Sequence, residues 1–403
     1  MSLDASEALN FSKILSQLDS EQIWEYERGP RNANPNARET AFQALQRPAD
    51  FPAIEAAIVS GDHVALAVDP YTPQLMDVLA GVLDAVKQTE ASEIDVVLGD
   101  EASDETLTQI QDAVGDVVRV VRHEPSNRES LRYLGADAAA DPIYLNRRLV
   151  DADFVLPIVA TRPRDSSGMI DLTGVFPFFA DAAARGRYFQ PAEPMDGPET
   201  DPSEPAWLLG VQIMLCVSAN NEGQAGDIVA GTPDAIRKQL KSSRRAPDEF
   251  PPPAQLVIAS MDGGAQQQTW QNAARAVSAA VGYCEPSGTI VLWSQIGEEP
   301  NRSLAQLSDP QRKSTHQIEP PAEGEFPPWD PTINPATTLA EIGKEHRLLL
   351  HGDVSGASIE AMGLGLVEDV EQLSNLIGEF ESCGVLRAAQ FAGDAIDASV
   401  QTP

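Results

Sequence analysis

Apolar and polar positions along the chain switch repeatedly between strand spacing and helix spacing. The run DHVALAVD (62–69) is a short apolar segment of strand type, and TPQLMDVLAGVLDAVKQ (72–88) has apolar residues at helical spacing. Strands that alternate with helices in this way are typical of a parallel sheet with right-handed crossovers. The further elements predicted in this first unit are strands over 94–100, 117–123, 151–160 and 207–220 and helices over 105–115 and 232–243.

A second unit with the same alternation follows a proline-rich stretch. The segment APDEFPPPAQ (246–255) resists both helix and sheet, because proline fixes φ and lacks an N–H donor. The predicted fold class is therefore α/β, with two domains that have mostly parallel, Rossmann-like sheets. The predicted limits are 1–245 for the N-terminal domain, 246–254 for the linker and 255–403 for the C-terminal domain, whose last segment is a candidate to return to the first domain. The elements predicted in the second unit are strands over 255–264, 288–295 and 346–353 and helices over 268–283 and 365–382.

Length and charge restrict the classes of partner. The chain has 403 residues, which suggests about two domains, and 42% of them are hydrophobic. Its 28 Lys and Arg against 61 Asp and Glu give a formal net charge of −33, which makes nucleic acid a poor partner. Neither a secretory start nor an apolar run of about 18 residues is present, so we expect a cytoplasmic protein with no membrane partner.

Cysteine and histidine give little sign of metal chemistry. The three cysteines, Cys216, Cys284 and Cys383, are far apart, which argues against a disulfide framework and against a structural zinc site. The sequence has five histidines, none of which forms a ligand pair typical of a metal site, and it lacks G-x-G-x-x-G, P-loop, H-E-x-x-H and G-x-S-x-G motifs. We therefore predict no metal ligands.

Several segments in order resemble the nickel-dependent lactate racemase family. The N-terminal part of the likeness is carried by HVALAVDPYTP, IDVVLGDE, VVRVVRHE and LGADAAADPIYLNRRLVDADFVLPI, and the C-terminal part by QLVIASMDGGAQQQTWQNAARAVSAAVGYCEPSGTIVLWSQ. The likeness covers most of residues 40–400. It implies a ligand cleft between two α/β domains. It also implies a nickel-pincer nucleotide, which takes a hydride from the α-carbon of a 2-hydroxy acid while two histidines exchange the hydroxyl proton.

The resemblance assigns positions to this site, and most of the chemical groups differ from those of the family. Glu101 and Arg164 stand where the family has its two histidine bases, and Gly174 stands where it has the lysine that ties the cofactor. A guanidinium stays protonated, so Arg164 is unsuited to accept a proton near neutrality. Ala274, with Arg275 beside it, replaces a second family lysine. The positions expected to bind ligand are Asp69, Tyr71, Thr72, Asp165, Gly168, Trp270 and Gln271.

Three hypotheses for function follow from these departures. The leading one is a family member that has lost nickel-pincer catalysis, needs no cofactor, and binds a small anionic molecule or a protein partner in the cleft. The second is an active nickel-pincer-dependent racemase or epimerase of a 2-hydroxy acid with a shifted residue set. The third is a different acid–base enzyme that uses Glu101, Asp165 and His123 in the same cleft.

Overall fold

The described residues of the protein form two six-stranded sheets and one two-stranded sheet. The structure is a computed structural model that describes residues 23–26, 32–115, 117–137, 140–162, 171–189, 203–242, 252–307 and 328–392. The strands are Ile23–Glu25 (β1), His63–Val68 (β2), Glu93–Leu98 (β3), Arg119–Arg122 (β4), Leu131–Ala136 (β5), Pro142–Asn146 (β6), Phe154–Ala160 (β7), Met214–Ala219 (β8), Ala225–Gly231 (β9), Ala254–Ser260 (β10), Cys284–Trp293 (β11), Arg347–His351 (β12), Gly365–Leu366 (β13) and Cys383–Leu386 (β14).

Helices cover both faces of the large sheets. They are Ala37–Gln46 (α1), Ile54–Ala57 (α2), Leu75–Val86 (α3), Asp104–Val114 (α4), Arg147–Asp151 (α5), Ala182–Tyr188 (α6), Glu204–Leu208 (α7), Pro233–Ser242 (α8), Trp270–Val281 (α9), Arg302–Ala305 (α10), Ile333–Ile342 (α11), Gly356–Ala361 (α12) and Val370–Ile377 (α13). Side-chain caps begin several of them. The Ser103 hydroxyl accepts from the Thr106 N–H at the start of α4, and the Thr269 hydroxyl accepts from the Asn272 N–H at the start of α9.

The two large sheets confirm the predicted α/β class with parallel strands. The first has the order β4-β3-β2-β7-β8-β9, and only β9 runs antiparallel to its neighbour. The second has the order β1-β14-β10-β11-β12-β13, with every pair parallel. Alternate residues of the central strand β2 enter two different cores. Val64, Leu66 and Val68 pack with α1 and α3, whereas Ala65 and Ala67 pack on the opposite face with Ile143 and Leu145 of β6. Strands covered on both faces read as continuous apolar runs.

Each large sheet has one point where the chain changes direction across it. In the first sheet the chain builds outward from β2 through β3 to β4 and then returns to the other side of β2 as β7. In the second it builds from β10 through β11 and β12 to β13 and returns beside β10 as β14. Ligands of open α/β sheets bind at the carboxyl ends of the strands that flank such a switch point. The first switch point therefore lies after β2 and β7, and the second after β10 and β14.

Several elements differ from the sequence predictions. β1 is part of the second sheet, although its residues fall within the predicted N-terminal domain 1–245. β14 also stays in the second sheet, and beyond it Ala388 and Phe391 pack against Ala160 and Ala219 at the end of the first sheet. The helix predicted over 365–382 is shorter, because its first residues form β13.

Three further strands were not predicted from the sequence, and most of the predicted linker lies outside the described residues. The antiparallel hairpin β5–β6 and the antiparallel edge strand β9 were not predicted. Most of the predicted linker 246–254 lies outside the described residues, and the domain limits stay a prediction. Over the described part of the chain, no helix is long and apolar enough to cross a membrane.

Candidate ligand site between the two sheets

An ion pair spans the first switch point. Asp69 follows β2 directly and Arg162 lies two residues beyond β7, so the topology places the two side chains against each other. The Arg162 Nε–H donates to Asp69 Oδ2 over 2.8 Å, and the Arg162 Nη2–H donates to Asp69 Oδ1. The carboxylate also accepts from the Tyr71 N–H at 2.9 Å and the Ala160 N–H at 3.4 Å. This fork geometry fixes the guanidinium at the carboxyl end of the sheet.

The electrostatics of this pair keep Asp69 ionised. Burial by itself would raise the pKa of the Asp69 carboxyl, because the charged form loses its hydration. The adjacent Arg162 guanidinium, with smaller contributions from Arg275 and the Tyr71 amide, outweighs burial and lowers the pKa of Asp69 below its ordinary value. The carboxylate is therefore a fixed counter-ion rather than a proton carrier near neutral pH.

Tyr71 separates two arginines in the cleft. The guanidinium carbons of Arg162 and Arg275 lie 5.5 Å and 5.3 Å from the centre of the Tyr71 ring, within cation–π range. The Tyr71 hydroxyl donates to the Glu101 carbonyl oxygen at 3.3 Å, and burial raises the pKa of this phenol. Thr72 is buried and donates its hydroxyl to the Asp69 carbonyl, so it shapes the loop rather than offering a free group.

A second ion pair joins the two sheets. Glu101 follows β3 in the first sheet, and Arg275 lies on α9 beside the second sheet. The Arg275 Nη2–H donates to Glu101 Oε2 at 2.9 Å, and its Nη1–H donates to Asn272 Oδ1 at 2.9 Å. Burial by itself would lower the pKa of the Arg275 guanidinium, but the Glu101 and Asp69 carboxylates raise it. The Gln267 side-chain amide adds a contact by donating to the Tyr71 carbonyl at 3.2 Å.

A cavity of about 50 Å³ lies beside these pairs. One side is charged and polar, because Glu101, Arg162 and Arg275 reach it. The other side is aromatic and comes from the loop after β7 and from α6. The full lining is Glu101, Arg162, Asp171, Phe176, Pro177, Phe178, Tyr188, Gln271, Ala274, Arg275, Ser278, Asn334 and Thr338. Pockets that combine an apolar wall with a few convergent polar groups are the usual form of small-molecule sites.

One nitrogen of the cavity lining is buried and unsatisfied. Arg162 Nη1 has no hydrogen-bond partner among the described residues and is shielded from solvent, whereas Nε and Nη2 of the same guanidinium both bind Asp69. A buried charged donor left without an acceptor costs about 1–3 kcal/mol or more. An anion placed in the cavity would remove that cost.

A third buried pair involves Asp100, the residue that precedes Glu101 in the chain. The Arg185 Nη1–H donates to Asp100 Oδ1 at 2.6 Å, with the two side chains 2% and 7% exposed. Trp329 reaches this pair from the part of the chain that precedes α11. Its indole N–H donates to Asp100 Oδ2 at 2.9 Å, and its ring lies 4.3 Å from the Arg185 guanidinium carbon. Trp329 thus connects the second half of the chain to the end of β3.

His123, which follows β4, is a packing residue. Its Nε2 lies 2.9 Å from the Ala180 carbonyl and its Nδ1 lies 3.2 Å from the Asn146 side-chain nitrogen, which together describe a neutral ring with Nε2 protonated. Burial lowers the pKa of His123 to about 4. A ring bonded at both nitrogens is not available as the acid–base group that the third hypothesis needed.

The described residues around the cleft do not fit a covalently held nickel-pincer nucleotide. Gly174, at the position of the family lysine, has φ +65°, and a Cβ there would lie 2.8 Å from Val159 Cγ1, so a lysine is both strained and obstructed. The cavity of about 50 Å³ is also far below the roughly 300–1,000 Å³ of ordinary ligand pockets. Among the described residues, the cluster able to hold an ion is His63, Glu93 and Asp95, at the opposite end of the sheet.

The structure brings some of the predicted site residues together and not others. Asp69, Tyr71, Thr72 and Glu101 meet at the carboxyl end of the first sheet, and Gln271 lines the cavity. Trp270 is a correction: it is 1% exposed in the core of the second sheet and donates its indole N–H to the Glu298 carbonyl, because its place on α9 faces inward. Arg164, Asp165 and Gly168 lie outside the described residues.

Sequence reasoning missed the arginines that organise the site. Arg162 and Arg185 were not assigned a role, and Arg275 was noted only as a neighbour of Ala274. The position of Arg162 in the sequence could have revealed its role, because Arg162 comes shortly after a predicted strand whose end faces the predicted cleft. Arg185 carried no such signal, since its partner Asp100 is 85 residues away in the chain.

The second switch point carries a similar ion pair in a closed setting. Asp262 lies two residues after β10 and Arg387 directly after β14. The Arg387 Nη2–H donates to Asp262 Oδ1 at 3.0 Å, and the Ala388 N–H donates to Asp262 Oδ2 at 2.8 Å. The Ser260 hydroxyl donates to the same carboxylate at 2.8 Å, and Gln390 donates its amide to the Asp262 carbonyl at 2.6 Å. The Arg387 and Asp262 side chains are 6% and 8% exposed, compared with 13% and 11% for Arg162 and Asp69.

Comparisons with known proteins find a family match for the N-terminal part of the chain and known structures with a similar fold. The family model of the lactate racemase N-terminal domain matches residues 10–162. No curated protein matches the chain. The lactate racemase apoprotein from Thermoanaerobacterium thermosaccharolyticum has a similar structure, with a TM-score of 0.66 at 14% sequence identity over 90% of this chain and 94% of that one. A protein from Thermotoga maritima gives a TM-score of 0.65 at 14% identity over 90% and 99% of the two chains.

Proposed function

Because residues 10–162 match the lactate racemase N-terminal domain and the fold is similar to that of a lactate racemase, we propose that the chain is a member of this family that keeps the cleft as a binding site for a small carboxylate and has lost nickel-pincer catalysis. The observation that carries the proposal is the buried Arg162 Nη1, which lines the cavity and has no acceptor among the described residues. A carboxylate oxygen would accept the hydrogen bond that Arg162 Nη1 does not make inside the protein.

The surroundings of Arg162 support a ligand that is small and partly apolar. Phe176, Phe178 and Tyr188 form an apolar wall, and Gln271 on α9 adds an amide. A cavity of about 50 Å³ holds a short acid and excludes a nucleotide, since one water molecule already needs about 10–15 Å³ on such a scale. The ligand class is therefore a short monocarboxylate.

The loss of catalysis is supported by the state of the groups at the family's catalytic positions. Racemisation through a hydride requires a base that takes the hydroxyl proton on each face of the substrate, with a pKa near the working pH. Glu101 Oε2 accepts a hydrogen bond from Arg275 Nη2 at 2.9 Å, so this ion pair occupies the carboxylate that stands at one of the two histidine positions. Gly174 provides no amine for a covalent tie and has no room for one.

Calorimetric titration tests the binding half of the proposal. We expect sodium acetate and sodium L-lactate to bind the native protein with one site per chain, and Arg162→Met to weaken that affinity at least about tenfold by removing about 1.4 kcal/mol or more. Arg38→Met is the matched control, because Arg38 pairs with Asp84 on the surface and lies outside the cavity lining. Equal affinities for the native protein and Arg162→Met would contradict the site.

Co-expression with the enzymes that make the pincer cofactor tests the catalytic half. We expect no covalently bound cofactor in the intact mass of the chain and no racemisation of D- or L-lactate above a cofactor-free control. A mass increase of one cofactor together with lactate turnover would support the active racemase instead. This outcome is independent of the carboxylate titration, so either half of the proposal can fail without the other.

A further inference from the structure

Three side chains that can ligate a metal converge at the amino-terminal end of the first sheet, away from the cleft. His63 begins β2, and Glu93 and Asp95 lie on the same face of the neighbouring strand β3. The register pairs His63 with Glu93, and one ligand atom from each of the three residues lies within 4.8 Å of the others. Because β2 has six residues, the cluster is about 20 Å from the cleft.

Asp95 supplies an independent observation that points to a ligand at this cluster. The residue is fully buried, and its Oδ1 accepts no hydrogen bond from any described residue. Its other oxygen, Oδ2, lies 3.0 Å from His63 Nε2. A buried carboxylate oxygen without a hydrogen-bond donor is costly, because its hydration has been removed and the Arg119 guanidinium, at 3.8 Å, is beyond hydrogen-bond distance.

Two arginines at present share the negative charge of the cluster. Arg119 Nη1 lies 2.9 Å from Glu93 Oε1 and 3.8 Å from Asp95 Oδ1, and Arg148 Nη1 lies 3.4 Å from Asp95 Oδ2. The Arg119 and Arg148 side chains are 49% and 40% exposed. Ion pairs of such exposed arginines contribute about 0–1 kcal/mol, so an incoming cation can displace Arg119 at small cost.

We propose that His63, Glu93 and Asp95 bind a divalent transition-metal cation such as Zn²⁺. One imidazole nitrogen with two carboxylate oxygens suits zinc or a neighbouring transition metal, whereas Mg²⁺ and Ca²⁺ prefer oxygen ligands alone. Three protein ligands leave a fourth position for water, and His63 and Glu93 are exposed enough to admit the ion. The site is separate from the cleft and does not depend on the function proposed for it.

Titration of metal-free protein with zinc chloride tests the proposal. We expect one Zn²⁺ per chain, and a loss of affinity of at least about 10–100-fold in Asp95→Asn and in His63→Gln, since even residues that only support ligands have effects of that size. Asp84→Asn removes the same charge from an exposed surface pair and should bind zinc like the native protein. His63→Gln keeps the test valid if Asp95→Asn fails to fold.

Arg119→Gln separates a metal site from an ion-pair cluster. If Arg119 only competes for the carboxylates, its removal should tighten zinc binding, and magnesium chloride should give no comparable binding in any variant. Absence of zinc binding to the native protein, or equal binding by the native protein, Asp95→Asn and His63→Gln, would overturn the proposal.

Discussion

Both large sheets have an aspartate–arginine ion pair at the switch point, but the surroundings of the two ion pairs differ. In both, an aspartate after the central strand pairs with an arginine after the strand that returns beside it, as Asp69 with Arg162 and Asp262 with Arg387. In both, the carboxylate also accepts a backbone N–H from the returning segment. The second pair is the more buried and also accepts a hydrogen bond from the Ser260 hydroxyl. The first borders a cavity, and its Arg162 Nη1 has no acceptor among the described residues.

This difference shows how a structural clamp can be distinguished from a binding site. A charged group whose hydrogen bonds are all made inside the protein holds two strands together and has little left for a ligand. A charged group with one donor unused, beside a cavity, is prepared for a ligand at the cost of some stability. By this criterion we propose that the first switch point is a binding site and that the second is a clamp.

The largest expected effect comes from removing the enclosed aspartate. Asp262→Asn removes the carboxylate that Arg387 binds at 3.0 Å and leaves Glu25 at 3.8 Å as an acidic neighbour; breaking a buried pair in this way costs about 3–5 kcal/mol. Asp69→Asn should cost less, because the cavity beside Arg162 admits water or an anion that compensates the charge. Urea unfolding of both variants measures the two losses of unfolding free energy. The control Asp84→Asn should change the free energy of unfolding by less than about 0.5 kcal/mol. A larger loss in Asp69→Asn than in Asp262→Asn would reverse the comparison.

The next effect concerns His123, beside the first switch point. The folded pKa of about 4 lies below the unfolded value of about 6.5, so the unfolded state binds the proton first as pH falls. As the pH falls from about 6.5 to about 4, protonation of His123 in the unfolded state therefore lowers the free energy of unfolding by an amount that reaches about 3 kcal/mol. Unfolding free energies of the native protein and His123→Gln between pH 4 and pH 8 measure it. The variant should lack this part of the pH dependence, and identical slopes would show that His123 is not held neutral.

Gly174→Ala tests whether the position that corresponds to the family's lysine has room for a side chain. Gly174→Ala places a Cβ at positive φ and against Val159, whereas Gly210→Ala has positive φ with open space around it. The first variant should lose about 1–3 kcal/mol more unfolding free energy than the second, because only the first is overpacked. Thermal or urea unfolding of the two variants gives this difference. Equal losses would mean that Val159 leaves room for a side chain.

The smallest expected effect is at Trp329, which connects the two halves of the chain beside the first site. Trp329→Phe removes the N–H that Asp100 accepts and keeps a ring over Arg185, so it should cost about 1 kcal/mol. Trp207→Phe is the control, because Trp207 is 76% exposed and its replacement should leave stability nearly unchanged. Urea unfolding of both variants gives the comparison. A cost no larger than that of the control would remove Trp329 from the account of the site.

The sequence predicted the strands well because strands buried on both faces are continuous apolar runs, as in β2 and β3. It also predicted that Asp69 and Glu101 lie at the same end of the first sheet, because both follow parallel strands. The pairing of Arg162, Arg185 and Arg275 could not be predicted, since each partner comes from a distant segment. Trp270 was assigned to the ligand for its position in a family motif, but the helix turns it into the core.

The shared clamp shows a further limit of sequence reading. No internal repeat is visible in the sequence, because only an aspartate and an arginine recur and their offsets from the strand ends differ between the sheets. The hairpin β5–β6 and the short strand β1 were missed for a related reason. Their pairing depends on long-range contacts rather than on local periodicity.

Anomalous diffraction from crystals soaked in sodium bromide tests the central claim most directly, because bromide is a small anion whose position is read without any assumption about the natural ligand. We predict a bromide peak in the cavity, in contact with Arg162 Nη1 and near Gln271, and no peak at Arg387. A peak at Arg387, or an empty cavity beside Arg162 while bromide binds elsewhere on the surface, would contradict the claim that the first switch point is the open site and the second the closed one.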